Sequence, residues 1–302
     1  MSSIAQPAKA AAINPVPYAP YASYAPYTDH FVEIAGIKLH VQDYGVQGKP
    51  AMLCVHGGAA HAHWFDFVAG AFTRDYHVLA YDQRGHGDSQ WDRSAEPDYS
   101  YQRYAADMHE LTEKLGLKDF TLVGHSMGGV VSTVYLGTYP GRAKAFILID
   151  STIAMPPDRI ADMNARGNRE GRSYGDRDEF MAGYKVRPAG STAAPEIVRH
   201  LAMNSGRPYA ESDGRWRYKF DRNVYGKRER MDSYPYWNNI KIPALLMRGG
   251  RRARISPEVI AEVQRRAPQV KVVDVPDADH HVTLDNPQGF IDATRQFLGG
   301  VK

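Results

Sequence analysis

The chain has 302 residues, of which 43% are hydrophobic, and a formal net charge of +3. This size suits one large α/β domain with an insertion or two smaller domains, and the mixing of acids and bases along the length excludes the concentrated basic face of a dedicated nucleic-acid binder. Cys54 is the only cysteine, which excludes an internal disulfide and a cysteine-based metal site and fits a reducing, cytoplasmic setting.

Residues 1–26 are rich in Ala, Pro and Tyr, with a lone Lys9 and no continuous apolar run. They read as a flexible or polyproline-like arm rather than a secretory signal. The alternative is that the tyrosines pack on the body or on a partner subunit. Phe31–Ile34 and Ile37–Val41, joined at Ala35-Gly36, read as a hairpin, and Ala51–Val55 as a buried strand ending at His56-Gly57-Gly58. A short helix follows over Trp64–Phe72, then a strand over His77–Asp82, broken by Gln83-Arg84-Gly85-His86-Gly87. Tyr104, Met108, Leu111 and Leu115 fall at helical spacing before Gly116. Strands at Asp119–Val123 and Ala145–Asp150 enclose a helix that runs to Pro140. This alternation predicts a mostly parallel sheet covered on both faces, with active residues in loops beyond the carboxyl ends of the strands. His56, Asp82, Ser126 and Asp150 all fall at such ends.

The rhythm breaks over 153–235, where no clear strand is visible and helical pieces such as Pro195–Leu201 predict a helical cap. Strands at Ala244–Met247 and Val270–Val273, a helix from Ser256-Pro257 and a last helix after Asn286-Pro287 restore it. The expected organisation is therefore a 1–26 arm, a core of 27–152 and 236–302, and a 153–235 cap. No apolar run reaches the about 20 residues of a membrane span. His61 and His63 share the spacing of a metal pair, but no third ligand is evident, and no metal is expected.

Gly124-His125-Ser126-Met127-Gly128-Gly129 carries the chemistry. A G-x-S-x-G between a buried strand and a helix holds its serine on a strained turn with the hydroxyl exposed. The flanking glycines lack the Cβ atoms that would clash there. The start of the helix offers N–H groups and a positive dipole end to a developing oxyanion. Ser126 is the candidate nucleophile, and a serine hydroxyl needs a base.

With His56-Gly57-Gly58, Asp82–Ser89 and Ala278-Asp279-His280-His281, these landmarks resemble the α/β-hydrolase family, in the branch of bacterial serine esterases and C–C hydrolases. The resemblance spans about residues 30–298. It implies an α/β-hydrolase fold, His280 as the base with His281 as its neighbour, and an oxyanion hole made by the N–H groups of Gly58 and Met127. It implies no cofactor. A serine at the elbow, where related dehalogenases and epoxide hydrolases carry an aspartate, argues against those chemistries.

One position departs from the family pattern. The usual triad acid falls at Ala253, within Arg248–Pro257, and no acid follows until Glu258. Loss of that carboxylate costs roughly 10⁴ in rate in well-studied triads. Three readings stand: Asp150 supplies the acid, the enzyme is crippled, or the site binds without efficient turnover. Asp150 itself is either that acid or merely a residue that turns the chain. The arginines beside Ala253 would disfavour an imidazolium if they lie near His280.

The expected function is a serine hydrolase acting through an acyl-enzyme on a carboxylic ester, lactone or thioester. The expected substrate is small, an apolar or aromatic ester, with Tyr184, Leu201, Met203, Trp216, Tyr218 and Tyr225 as candidates to line its pocket. The alternatives are a C–C hydrolase of ring-cleavage products and a ligand-binding protein on a hydrolase scaffold. Neither nucleic acid nor membrane is an expected partner, and self-association is left open.

Overall fold

The computed structural model describes residues 11–12, 24–34, 36–209, 214–226, 231–252 and 254–301. Its main sheet contains β1 (Thr28–Ile34), β2 (Ile37–Asp43), β3 (Ala51–Val55), β4 (His77–Tyr81), β5 (Phe120–His125), β6 (Ala143–Ile149), β7 (Ala244–Gly249) and β8 (Val270–Val275). The order across the sheet is β8-β7-β6-β5-β3-β4-β2-β1, with Ala11–Ala12 pairing in parallel outside β8. Only the β1–β2 and β2–β4 pairs are antiparallel.

Both faces of this sheet are covered, so the central strands are buried at nearly every position instead of at alternate ones. Leu122, Phe146 and Leu246 enter one core layer, together with Met108, Val130 and Val263 from α1 (Tyr101–Lys114), α2 (Met127–Thr138) and α6 (Pro257–Arg266). Their chain neighbours Val123, Ile147 and Met247 enter the other layer, with Phe65 and with Phe290 and Phe297 of α7 (Pro287–Leu298). The helix starts follow from their capping residues. The side chains of Ser100 and Asn286 accept from the N–H groups of Arg103 and Gly289.

Between β6 and β7 the chain forms α3 (Pro157–Gly167), α4 (Arg177–Gly183) and α5 (Pro195–Ser205). The expectation of no strand here is corrected by a small antiparallel pair, Gly206–Pro208 with Trp216–Tyr218. Three-residue strands are too short to leave an alternation pattern in the sequence. Polar bonds tie the insertion to the body: His61 Nε2 lies 2.8 Å from Ser205 Oγ, and the Tyr99 hydroxyl donates to Asp221 at 2.9 Å. Most of the expected arm lies outside the described residues. The Tyr24 ring stacks on His200 at 4.1 Å, and Tyr27 meets Tyr44 and His63 edge-on, so the end of that segment packs on the body.

Two buried ion pairs fix the loops beside β4. Arg84 clamps Asp107 of α1 through Nε and Nη2 at 2.5 and 2.9 Å. His40 Nδ1 lies 2.8 Å from Asp82 Oδ2. Burial disfavours the imidazolium of His40, but the bond and charge of Asp82, reinforced by Asp29, outweigh it and raise its pKa to about 9.

Asp107→Ala takes from Arg84 its two-point partner and leaves it only Asp92, at 3.1 Å, so it is expected to cost about 3 kcal/mol in denaturant unfolding. The folded pKa of His40 lies above its ordinary 6.5, so its stabilisation is complete below that pH and lost as pH rises through about 9. The melting temperature should fall across that window by on the order of 5 °C more than in His40→Gln, read as the difference between the two pH profiles.

Candidate active site

Ser126 stands between β5 and α2 with φ +52° and ψ −116°, a left-handed conformation rare for a side-chain-bearing residue. Its N–H donates to the Ile149 carbonyl at 2.9 Å, and its own carbonyl accepts from the Ser151 hydroxyl at 2.6 Å. The turn is possible because the backbones approach closely. A Cβ on Gly124 would lie 2.6 Å from Ser132 Oγ and 2.8 Å from the Gly128 carbonyl, and one on Gly128 would be driven into the carbonyl oxygens of Val55 and His56 at the end of β3.

His280 arrives on the loop after β8. Its Nε2 lies 3.0 Å from Ser126 Oγ, and its Nδ1 lies 2.6 Å from Asp150 Oδ2. Asp150 follows β6, is buried, and is held by its N–H to the Met247 carbonyl at 2.8 Å. Ser126, His280 and Asp150 thus form one continuous hydrogen-bonded chain. Ala253 lies outside the described residues.

The loop carrying His280 is pinned on two sides. The His280 N–H donates to Asp279 Oδ1 at 2.8 Å, and His125 Nε2 lies 2.9 Å from the His280 carbonyl. Burial, followed by the charge of His280, holds His125 neutral, so Nε2 carries the proton it donates. The same two causes push the pKa of His281 down to about 3. His281 is therefore a neutral ring beside His280 and has no hydrogen bond to the serine.

Of the arginines beside Ala253, Arg254 does lie near the histidine. Its Nη2 is 2.9 Å from Asp279 Oδ1, and its Nε is 3.7 Å from Asp150 Oδ2. Its charge is thus matched by two carboxylates. Burial raises the pKa of Asp279, but the bonds from Arg254 and the His280 N–H, with Arg252 nearby, carry it below the ordinary value.

A cavity of about 700 Å³ opens over Ser126 and His280. Gly58 and Met127 line it; Met127 opens α2, and Gly58 follows β3. Of the six expected lining residues, Tyr184, Tyr218 and Tyr225 face it, but Leu201, Met203 and Trp216 do not. Leu201 is fully buried on α5, Met203 is 41% exposed, and Trp216 packs against Phe180. Helical phase on α5 decides the placing of Leu201 and Met203, and composition carries no such information. His56 and Asp82, also at strand ends, hold loops instead: His56 Nε2 accepts from the Gln83 N–H at 3.0 Å, and Asp82 accepts from the N–H groups of Ala62 and Asp88.

The His61 and His63 rings meet edge-on at 5.4 Å but take different polar partners, Ser205 for His61. His63 Nδ1 lies 2.8 Å from Asp66 Oδ2, and His200 Nε2 of α5 lies 2.6 Å from the same oxygen. The Tyr44 hydroxyl donates to the other oxygen at 2.5 Å. Burial opposes the Asp66 carboxylate, but bonds from His200, His63 and Tyr44 hold its pKa below the ordinary value. The second histidine on Asp66 comes from 137 residues beyond His63 (200 − 63), a separation that spacing along the chain does not show.

The model for the α/β-hydrolase fold matches residues 50–287. Over 280 residues the chain is 28% identical to 2-(acetamidomethylene)succinate hydrolase of Mesorhizobium japonicum, covering 90% of this chain and 96% of that protein. It is 27% identical to N-formylmaleamate deformylase of Pseudomonas putida, covering 88% and 95%. The crystal structure of E-2-(acetamidomethylene)succinate hydrolase aligns with a TM-score of 0.78 at 26% identity, over 91% of this chain and 100% of that one. No helix among the described residues is long and apolar enough to cross a membrane. The chain belongs to the α/β-hydrolase family and is a hydrolase of that fold.

Proposed function

We propose that the protein is a serine hydrolase that cleaves a carboxylic ester through an acyl-enzyme on Ser126. The observation that carries this reading is the unbroken path from Ser126 Oγ through both nitrogens of His280 to Asp150, at 3.0 and 2.6 Å. His280 Nε2 takes the serine proton as Oγ attacks the carbonyl, and Nδ1–H donates to Asp150, which fixes the tautomer and stabilises the imidazolium. The N–H groups of Met127 and Gly58 receive the oxyanion. His280 then returns its proton to the leaving alcohol, and a water activated by the same nitrogen releases the acid.

Asp150 takes the acid's place in this mechanism, at the end of β6, where the usual position after β7 is Ala253. The reading of a binder without turnover rested on that alanine and loses its ground if Asp150 acts. The segment 153–235 serves as the cap that bounds the substrate. Relatives named as a deformylase and, in Cupriavidus necator, a 3-hydroxybutyrate-oligomer hydrolase support acyl transfer to water as the shared chemistry. A C–C substrate would call on the same three side chains, and a ring-cleavage product assayed beside the esters is expected to turn over more slowly.

With 4-nitrophenyl esters, Ser126→Ala should abolish turnover, a fall on the order of 10⁶ in kcat, with an unchanged melting temperature. Asp150→Asn should lower kcat by roughly 10⁴ and Ala253→Asp should bring no gain. A large gain in Ala253→Asp, with Asp150→Asn near wild type, would reverse the assignment of the acid.

A further inference from the structure

The cavity above Ser126 has two unlike sides. Gly57, Gly58, Met127 and His280 of the body form its floor, while the wall supplied by the insertion is cationic. Arg159 and Arg166 of α3, Arg172, Lys185, Arg187 and Arg222 all line it, against a single carboxylate, Asp162. Asp162 is already committed to Arg166, at 2.7 Å.

The other five have no carboxylate partner among the described residues. Arg159 donates to the Thr152 hydroxyl at 3.3 Å, Arg222 to the carbonyls of Arg169 and Arg166, and Arg172 lies over the Tyr174 ring at 4.5 Å. Like charges gathered around one opening repel one another, and neutral partners do not offset that. A cleft lined by one sign of charge raises the local concentration of the opposite ion. By contrast, Arg254 at the body side of the site is matched by Asp279, and Arg84 beside β4 by Asp107. Apolar groups complete the cavity, with Met155, Phe220 and Tyr225 among them.

Resting on the hydrolytic reading above, we infer that the substrate is an acyl compound bearing a free carboxylate remote from the scissile carbonyl, and that this insertion wall receives it. The planar forks of the guanidinium groups match a carboxylate in geometry as well as charge. The expected apolar ester is thereby replaced by a half-ester of a dicarboxylic acid: the carbonyl lies at Ser126, a short carbon chain crosses the apolar middle, and the carboxylate rests among the arginines. The exposed position of these cations makes the preference sensitive to salt.

The test compares mono-4-nitrophenyl glutarate with the uncharged 4-nitrophenyl pentanoate of similar length. The wild-type enzyme is expected to favour the charged ester at least tenfold in kcat/KM at low ionic strength, with the ratio falling towards one in 0.5 M NaCl. A triple variant, Arg159→Gln, Lys185→Met and Arg187→Gln, should lose that preference through a raised KM for the charged ester; a variant that keeps a tenfold preference would overturn the inference. Equal or better turnover of the neutral ester by the wild type, or inhibition by inorganic phosphate stronger than by glutarate, would overturn the inference and leave the serine mechanism standing. Turnover of neither ester, with no labelling of Ser126 by a fluorophosphonate, would instead overturn the mechanism.

Discussion

The site depends on a single close approach of backbones. Gly128, at the start of α2, lies against the carbonyl oxygens that end β3, and Gly124 lies against the first turn of the same helix. Only with both side chains reduced to hydrogen can β5 turn into α2 so abruptly that Ser126 takes φ +52°. The strain at Ser126 is held by the packing on either side, since β5 lies between β3 and β6 in the middle of the sheet. From this bend follow the exposure of the hydroxyl, the position of the Met127 N–H beside it, and the opening of the cavity above.

The sheet and elbow were legible because they rest on local pattern. Continuous apolar runs mark strands buried on both faces, Ser256 and Asn286 with the prolines after them mark helix starts, and the glycine spacing around Ser126 fits a tight turn. Residues brought together from far along the chain were less legible. Asp150 is an acid at a strand end, and so is Asp82, yet one meets His280 and the other His40. The sequence offered Asp150 as one of three accounts of the missing acid, and the strand order is what brings it to His280. The partners of His63 were hidden for the same reason, because Asp66 stands three positions away but His200 lies on α5. Within the insertion, the sequence shows more cations than acids without showing on which side they gather. Helical phase turns Arg159 and Arg166 towards the cavity and Leu201 into the core, and that phase depends on packing.

The electrostatics of the site divide by element. Around the histidine every neighbour is either neutral or paired: His125 and His281 are kept uncharged by burial, and Arg254 shares its charge between Asp279 and Asp150. An imidazolium at His280 would thus face a carboxylate at Nδ1 with the nearest cation already compensated. The insertion side keeps its charge unbalanced. In the proposed reading, chemistry and recognition are carried by separate parts of the chain, the first by loops of the sheet and the second by α3 and the segments that follow it.

With Asp150 as the proposed acid, the catalytic geometry is also assembled differently. Serine and acid hang from the ends of β5 and β6, adjacent strands whose register pairs His125 with Ile149. Their separation is set by a ladder of main-chain bonds, the stiffest ruler a sheet offers. Only the imidazole is delivered by a loop from elsewhere, so the triad has one movable joint where an acid carried after β7 would give it two. The loop after β7 still contributes to holding that joint, because Arg254 bonds Asp279 and the Arg251 N–H donates to the Ala278 carbonyl, so the turn bearing His280 is braced by His125, Asp279 and this neighbouring loop together.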